Sequence, residues 1–251
     1  MKNKILLMAA VFMLMFSFAG QAMAAFTTGD LIRVVYVNGG VGAEVATDLG
    51  TFSTYTTPGS IGSTISYTTN DFSLSQFAGQ SDWSNISVAY YLKVGTSNAS
   101  FWLSGPVAGG QSTTGGLKTS LSSGIASTLT YYNGLAGGAS QVSGVSSNAS
   151  SYYSKLDLVG TAVGQFTGYT SGGEVGLAGL STVGYVDQYL YYYDKATNGS
   201  PMSGVAIADI RTFADGHTEI IPMATPLPAA FWLLGSGLMG LVGIRRRMTA
   251  A

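Results

Sequence analysis

The sequence lacks cysteine, has a single histidine and is poor in charged residues. Its 251 residues contain no Cys, one His (His217) and only 9% charged residues, against a usual ~25%. These absences exclude disulfides, thiolate nucleophiles, Cys-ligated zinc and a multi-histidine metal site. Because 46% of the residues are hydrophobic, the composition does not predict disorder through charge repulsion.

The few charges are unevenly distributed along the chain. Of eleven basic residues, two lie at the start and three at the end, whereas all twelve acidic residues lie between Asp30 and Glu219. The middle of the chain therefore holds six basic residues against twelve acidic ones. Six scattered basic residues form no stripe that would neutralise phosphates, so we expect no nucleic acid among the partners.

The N-terminus has the three parts of an export signal. Lys2 and Lys4 precede an uncharged apolar run, Ile5–Ala19, and the small residues Ala22 and Ala24 follow it. This pattern predicts a signal helix within a signal peptide over residues 1–24, which signal peptidase removes before Ala25. An uncleaved membrane anchor is the alternative, but the apolar run is shorter than the ~20 residues that a span needs.

The C-terminal tail, residues 225–251, combines prolines, an apolar stretch and arginines. Pro226 and Pro228 favour extended backbone, and the 16 residues 229–244 carry no charge. As a helix they would span ~24 Å, and snorkelling arginines would cover part of the shortfall against a ~30 Å hydrocarbon core. We expect a transmembrane helix over 229–244 that contacts membrane lipid. The arginines that stop transfer and favour the cytoplasmic side are Arg245, Arg246 and Arg247.

The segment Thr225–Arg247 resembles the PEP-CTERM family of sorting signals, in the variant with a Val-Pro-Leu-Pro-Ala motif. The residues that match the motif are Pro226, Leu227, Pro228 and Ala229, and Thr225 stands where Val is usual. The resemblance implies export in a Gram-negative bacterium and handling by an exosortase, a membrane transpeptidase-like enzyme. It also implies an intermediate anchored in the inner membrane, and then a place at the cell surface or in the polysaccharide matrix of a biofilm. A plain tail anchor and a buried core helix are the alternatives.

The body, residues 25–224, has the pattern of an all-β domain. Short β-branched and aromatic runs alternate with turn residues, which predicts a mainly β, antiparallel and jelly-roll-like β-sandwich. The clearest hairpin signal is Asn38-Gly39-Gly40 between two such runs. The predicted hairpins are Leu31–Val37 with Ala43–Leu49, Ile86–Val94 with Ala99–Leu103, and Gly184–Asp194 with Gly204–Phe213; Thr51–Tyr55 and Thr64–Thr68 are further strand candidates.

Residues 104–156 interrupt this strand pattern. Ser104–Ser151 contains ten glycines and one charged residue, Lys118. A structureless loop of that length is uncommon inside a compact domain. The content of Ala, Leu and Ser predicts two modest helices, Leu117–Leu135 and Gln141–Leu156. We therefore predict a small helical insertion beside the sheets, with a flexible loop as the alternative.

The body offers little catalytic or metal chemistry. His217 lies near Asp209 and Asp215 in the sequence, but no Gly-x-Ser-x-Gly elbow is present to expose a nucleophile. Paired carboxylates for glycoside hydrolysis depend only on spatial placement, which leaves a secreted hydrolase as an alternative. We expect no catalytic residue and no cofactor, apart from calcium, which the sequence leaves open on loop acids. Those acids are Asp71, Asp82 and Asp187.

All fifteen tyrosines lie in the body. Strand alternation places Tyr189, Tyr191 and Tyr193 on one face of the run Gly184–Asp194. Together with Tyr90, Tyr91 and Trp102, these rings predict a platform that stacks on the sugars of a polysaccharide. The alternative is that tyrosine is a favoured strand residue whose ring packs and whose hydroxyl reaches water.

These patterns together predict a non-enzymatic, exported surface or matrix protein. A carbohydrate-binding β-sandwich module is the alternative, and a secreted hydrolase is the third possibility.

Overall fold

The computed structural model describes residues 26–96, 99–105, 118–157, 173–194 and 204–223. The predicted signal peptide (1–24), Ala25, the sorting tail (225–251) and its predicted transmembrane helix (229–244) lie outside the described residues. Among the helices of the described ranges, none has the length and apolar character that a bilayer crossing requires.

The described residues contain ten strands, one α-helix and three short helical turns. The strands are β1 Asp30–Val37, β2 Ala43–Thr51, β3 Ile65–Tyr67, β4 Ile86–Val94, β5 Ser100–Gly105, β6 Gln141–Val145, β7 Val175–Gly176, β8 Tyr185–Tyr193, β9 Val205–Phe213 and β10 Thr218–Pro222. The helix is α1, Lys118–Ala136. Leu74–Gln76 and Leu177–Ser181 are 3₁₀ turns, and Tyr153–Asp157 is a π-helical turn.

All ten strands belong to one antiparallel sheet. Nine follow the order β3-β10-β9-β8-β5-β4-β1-β2-β6, and β7 pairs with β4 beside them. The sheet curls into a half-barrel. The curl brings strands that are not neighbours in the sheet into side-chain contact. The hydroxyl of Tyr90 on β4 lies 2.7 Å from Thr212 Oγ1 on β9 and 2.9 Å from Thr218 Oγ1 on β10.

The mainly β, antiparallel class is therefore confirmed, but the arrangement of the sheet differs from the predicted one. A jelly-roll-like sandwich has two separate sheets, whereas here the pairing of β5 with β8, from Phe101↔Tyr193 to Gly105↔Tyr189, joins the two halves by backbone hydrogen bonds. The concave interior between the halves resembles a sandwich core, and one continuous sheet forms it.

The three predicted hairpins are confirmed as β1–β2, β4–β5 and β8–β9. The candidate Thr64–Thr68 contains β3, which pairs with β10, a strand that the sequence analysis missed. The candidate Thr51–Tyr55 was wrong beyond Thr51, where β2 ends. Residues after Thr51 turn into the interior, where Phe52 is fully buried and its ring centroid lies 4.6 Å from that of Tyr55.

Of the two helices predicted in the insertion, the structure contains the first and not the second. Helix α1 confirms the first predicted helix. The second, Gln141–Leu156, was wrong, because Gln141–Val145 forms β6 and pairs with β2 in the register Ala46↔Val142. Without β6 the edge of β2 would expose unpaired backbone groups. Pairing with β2 therefore outweighs the weak helical preference of this segment.

Both faces of the sheet are buried in its centre. On β1, Leu31, Val35 and Val37 point to the concave interior, while Ile32, Val34 and Tyr36 point to the convex side. Helix α1 covers the convex side through Leu121, Ile125, Leu129 and Tyr132. A strand buried on both faces is a nearly continuous apolar run without polar alternation, which matches Leu31–Val37 except at the buried Arg33.

Candidate binding face on β8, β9 and β10

The structure divides the predicted tyrosine platform. Tyr191 and Tyr193 are 2% and 1% exposed and pack in the convex core, whereas Tyr189 is half-buried. The other predicted rings, Tyr90, Tyr91 and Trp102, are also buried. These five rings therefore pack in the core, as in the alternative interpretation, and they do not present a stacking surface.

The convex face becomes accessible towards the start of β8. Tyr185, Asp187 and Tyr189 all lie on this face and are half-buried. The register places Arg211 of β9 opposite Asp187, and Asp209 opposite Tyr189. Directly opposite residues of an antiparallel pair share a face. Glu219 of β10 continues the same row, opposite Arg211. The outer face, as we call this surface, consists of Tyr185, Asp187, Tyr189, Asp209, Arg211 and Glu219.

An ion pair holds the centre of the outer face in place. Arg211 Nε donates to Asp187 Oδ1 at 2.8 Å, and Nη2 donates to Oδ2 at 3.0 Å. The guanidinium carbon also lies 4.1 Å from the ring centroid of Tyr185. The two parallel hydrogen bonds and the ring fix the plane of the guanidinium. The hydrogen bonds to Asp187 raise the pKa of Arg211, which keeps it charged.

Asp209 is the carboxylate with unsatisfied hydrogen-bonding capacity on this face. Its Oδ1 is buried and has no hydrogen-bond partner among the described residues. Burial raises the pKa of Asp209 to about 6, the neighbouring charge of Asp187 adds to the effect, and Arg211 opposes it. An uncompensated buried carboxylate oxygen favours a proton or an added donor. Asp209 is thus a carboxylate of the outer face with one oxygen that burial leaves without a donor within the described ranges.

A stack of rings borders the outer face at its Tyr185 end. The ring centroids of Tyr185 and Phe213 are 6.2 Å apart, and His217 stacks on Phe213 at 4.0 Å. His217 Nδ1 is hydrogen-bonded to Asp215. No serine hydroxyl hydrogen-bonds to the His217 ring in the part of the chain that the structure describes. His217 is therefore held in its turn by the hydrogen bond to Asp215 and by stacking on Phe213.

The predicted calcium ligands lie apart and in different settings. Asp71 is exposed, Asp82 accepts from Ser84 N at 2.8 Å, and Asp187 is bound to Arg211. Within the described ranges, no group of three or more His, Cys, Asp or Glu side chains is placed to hold a metal ion.

The other predicted site residues cannot be placed. The signal-cleavage residues Ala22, Ala24 and Ala25, the sorting-motif residues Pro226, Leu227, Pro228 and Ala229, and the stop-transfer residues Arg245, Arg246 and Arg247 lie outside the described residues. Their roles stay predictions.

Sequence reasoning missed Asp209, Arg211 and Glu219 as neighbours of the tyrosine strand. Alternation along Asp209-Ile210-Arg211-Thr212-Phe213 separates polar from buried positions, and this signal could have placed Asp209 and Arg211 on one face. No local pattern shows that β10 lies beside them.

Comparisons with known proteins add no family to this description. No family model matches the chain, and no curated protein or solved structure is similar enough to it to count as a match.

Proposed function

We propose that this chain is a non-enzymatic, exported protein of the cell surface or extracellular matrix of a Gram-negative bacterium. The observation that carries the proposal is the pairing of two terminal patterns in one chain. A basic and apolar segment ends in Ala22-Met23-Ala24, and a PEP-CTERM-like tail ends in three arginines. The mainly β body between them supports the proposal, since such a body suits presentation outside the cell.

The mechanism is delivery followed by presentation. Signal peptidase removes residues 1–24, the helix 229–244 holds the intermediate in the inner membrane, and an exosortase acts at the motif that begins at Pro226. Because the chain has no cysteine, the exported body depends for its stability on packing and hydrogen bonds.

The test compares three versions of the chain in cells that carry an exosortase. The parent should give a membrane-bound precursor and a shorter surface form. Deletion of Thr225–Ala251 should release the body to the soluble exported fraction, without residues 1–24 and without any exosortase cleavage. The double variant Pro226→Ala, Pro228→Ala keeps the apolar span and should accumulate as membrane precursor. If the parent gives no shorter form and all three versions have the same location, the sorting proposal is wrong.

A carbohydrate-binding module is the second candidate function, and the outer face favours it. There, half-buried Tyr185 and Tyr189 lie beside carboxylates and a fixed guanidinium. The apolar faces of the tyrosine rings match the apolar face of a sugar ring. The polar groups beside the tyrosine rings match the hydroxyls of the sugar. Release of reducing ends from a bound glycan would contradict the non-enzymatic part of the proposal.

A further inference from the structure

We propose that the outer face binds an amine-bearing polysaccharide, a polymer of glucosamine type with free amino groups. This inference rests on the second candidate function above, and it names the ligand class and the residues that select it.

The aromatic part of the site is Tyr189. Its ring is half-buried, with its centroid 6.1 Å from that of the buried Tyr191. The packed neighbour holds the Tyr189 ring at the surface and limits the side-chain entropy that binding would remove. Tyr189 lies between Asp187, two positions earlier on β8, and Asp209, directly opposite on β9. A sugar that stacks on Tyr189 would therefore have carboxylates on two sides.

The pair Arg211–Asp187 supplies fixed polar groups. Both side chains are about a third exposed, at 30% and 28%, so their remaining donors and acceptors reach solvent. Because the pair and the Tyr185 ring already fix the guanidinium, binding orders little more of it. Such pre-organisation favours hydrogen bonds to vicinal hydroxyls.

The charge on the outer face selects the amine. Its three carboxylates are Asp187, Asp209 and Glu219, and its single cation is Arg211. Asp187 is neutralised by Arg211. Within the part of the chain that the structure describes, Glu219 Oε1 accepts from a neutral donor, Ser66 Oγ, at 3.2 Å, and Asp209 Oδ1 has no partner. The surplus is negative, which attracts ammonium groups and repels the carboxylates of a polyuronate.

The experiment measures binding to the full chain by isothermal titration calorimetry. The chain is held in a detergent without a sugar head group, so that the detergent does not compete. The probes are a glucosamine hexamer, its fully N-acetylated counterpart and a hexauronate. We expect the glucosamine hexamer to bind at least tenfold more tightly than the acetylated one, more weakly at higher salt, and the hexauronate not to bind.

Four variants locate the site. Asp209→Asn and Tyr189→Leu should each weaken binding of the glucosamine hexamer by about tenfold. Tyr189→Phe keeps the ring and should bind like the parent. Asp82→Asn removes an exposed carboxylate distant in sequence from the outer face and controls for net charge. Thermal unfolding of each variant checks that the fold is intact.

Three results would overturn the inference. These are equal affinity for the acetylated hexamer, unchanged affinity in folded Asp209→Asn, and an equal loss in Asp82→Asn. Failure to bind any glycan would remove the carbohydrate-binding function together with this inference. The sorting proposal would stand, because fractionation tests it separately.

Discussion

Arg33 shows what a single residue does for this fold. It is 1% exposed inside the half-barrel, and in the described ranges no carboxylate lies within ion-pair distance of it. Its Nη1 donates to Gly216 O at 2.8 Å, and its Nη2 donates to Asn70 O at 2.6 Å. Its guanidinium carbon lies 4.9 Å from the centroid of the Phe72 ring. Burial lowers the pKa of Arg33. Arg33 thus ties β1 to the turn before β10 and to the loop after β3, which closes the curl.

We expect Arg33→Met to lower the free energy of unfolding by about 3 kcal/mol. Methionine fills much of the space but removes the four hydrogen bonds that the guanidinium donates. The buried carbonyl of Gly216 loses its side-chain donor, and an unsatisfied buried group costs ~1–3 kcal/mol. Urea denaturation followed by tryptophan fluorescence measures the change. The control is Arg211→Met, which removes a partly exposed ion pair and should cost about 1 kcal/mol. Equal losses in the two variants would contradict the role of Arg33.

Gly216 is a second residue on which the closure depends. Its φ is +91°, and a Cβ added there would lie 1.9 Å from the backbone oxygen of Phe72. We expect Gly216→Ala to abolish the cooperative unfolding transition in thermal melts, because backbone atoms on both sides would have to move. Gly39 has nearly the same φ, +90°, and open space around it. Gly39→Ala should therefore cost only the conformational strain, about 1–2 kcal/mol. If both variants melt alike, the close approach to Phe72 is unimportant.

At the scale of elements, one buried carboxylate adds a polar anchor to the apolar packing of α1 on the sheet. Glu44 on β2 is fully buried. Its Oε1 accepts from Tyr132 Oη of α1 at 2.6 Å and from Tyr152 N at 2.9 Å, and its Oε2 accepts from Tyr153 N at 3.0 Å. The helix is rich in Ser, Thr and Gly, which are weak helix formers. Its stability therefore depends on packing and on this anchor more than on its own sequence.

We expect Tyr132→Phe to lower the free energy of unfolding by about 2 kcal/mol and to speed amide hydrogen exchange in α1. The change removes the donor from a buried carboxylate and keeps the ring. The neighbouring Tyr131→Phe is the control. Its hydroxyl accepts from Val145 N at 3.1 Å in an exposed position, so its loss should cost less than about 1 kcal/mol. Faster exchange in α1 with Tyr131→Phe but not with Tyr132→Phe would contradict the role of Tyr132 as the residue that anchors α1 to Glu44.

At the scale of the whole molecule, tertiary packing partly buries carboxylates that would otherwise be hydrated. Burial raises the pKa of Asp48 to about 6, as it does for Asp209. Asp48 lines a cleft with Tyr67 and Asn70. A folded-state pKa above the ordinary value of 3.8 means that the folded chain binds the proton more tightly than the unfolded chain. The resulting stabilisation is complete below about pH 4 and is lost as the pH rises through 6.

The molecule should therefore lose stability between pH 4.5 and pH 7.5. Asp48→Asn should reduce this loss by about 1 kcal/mol, a value discounted for the solvent that reaches the carboxylate. The amide oxygen still accepts from Gly50 N, which lies 2.7 Å from Asp48 Oδ1 in the parent. Urea denaturation across the pH range measures the slope. The control is Asp82→Asn, since hydrogen bonds from Ser84 lower the pKa of Asp82 and it does not titrate in this window. An unchanged slope in Asp48→Asn would refute the assignment.

The outer face shows which part of the structure could not be predicted from the sequence. Alternation correctly put Tyr189, Tyr191 and Tyr193 on one side of β8, because the period of two is a local property of a strand. It could not say which part of that side is covered. Tyr191 and Tyr193 are buried because β8 pairs with β5, so that they join the convex core with Phe101 and Leu103.

The hairpins and the alternation of faces follow from residues close together in the chain, so they could be derived without coordinates. The two terminal signals rest on equally local patterns and stay predictions. The single curled sheet, the strand β6, the burial of Arg33 and the makeup of the outer face depend on contacts between distant segments. Arg33 and Thr218 are 185 residues apart, and β5 and β8 are separated by the whole insertion. Local periodicity carries no information about such pairings, because it sets which side of a strand is apolar and not which strand or helix covers it.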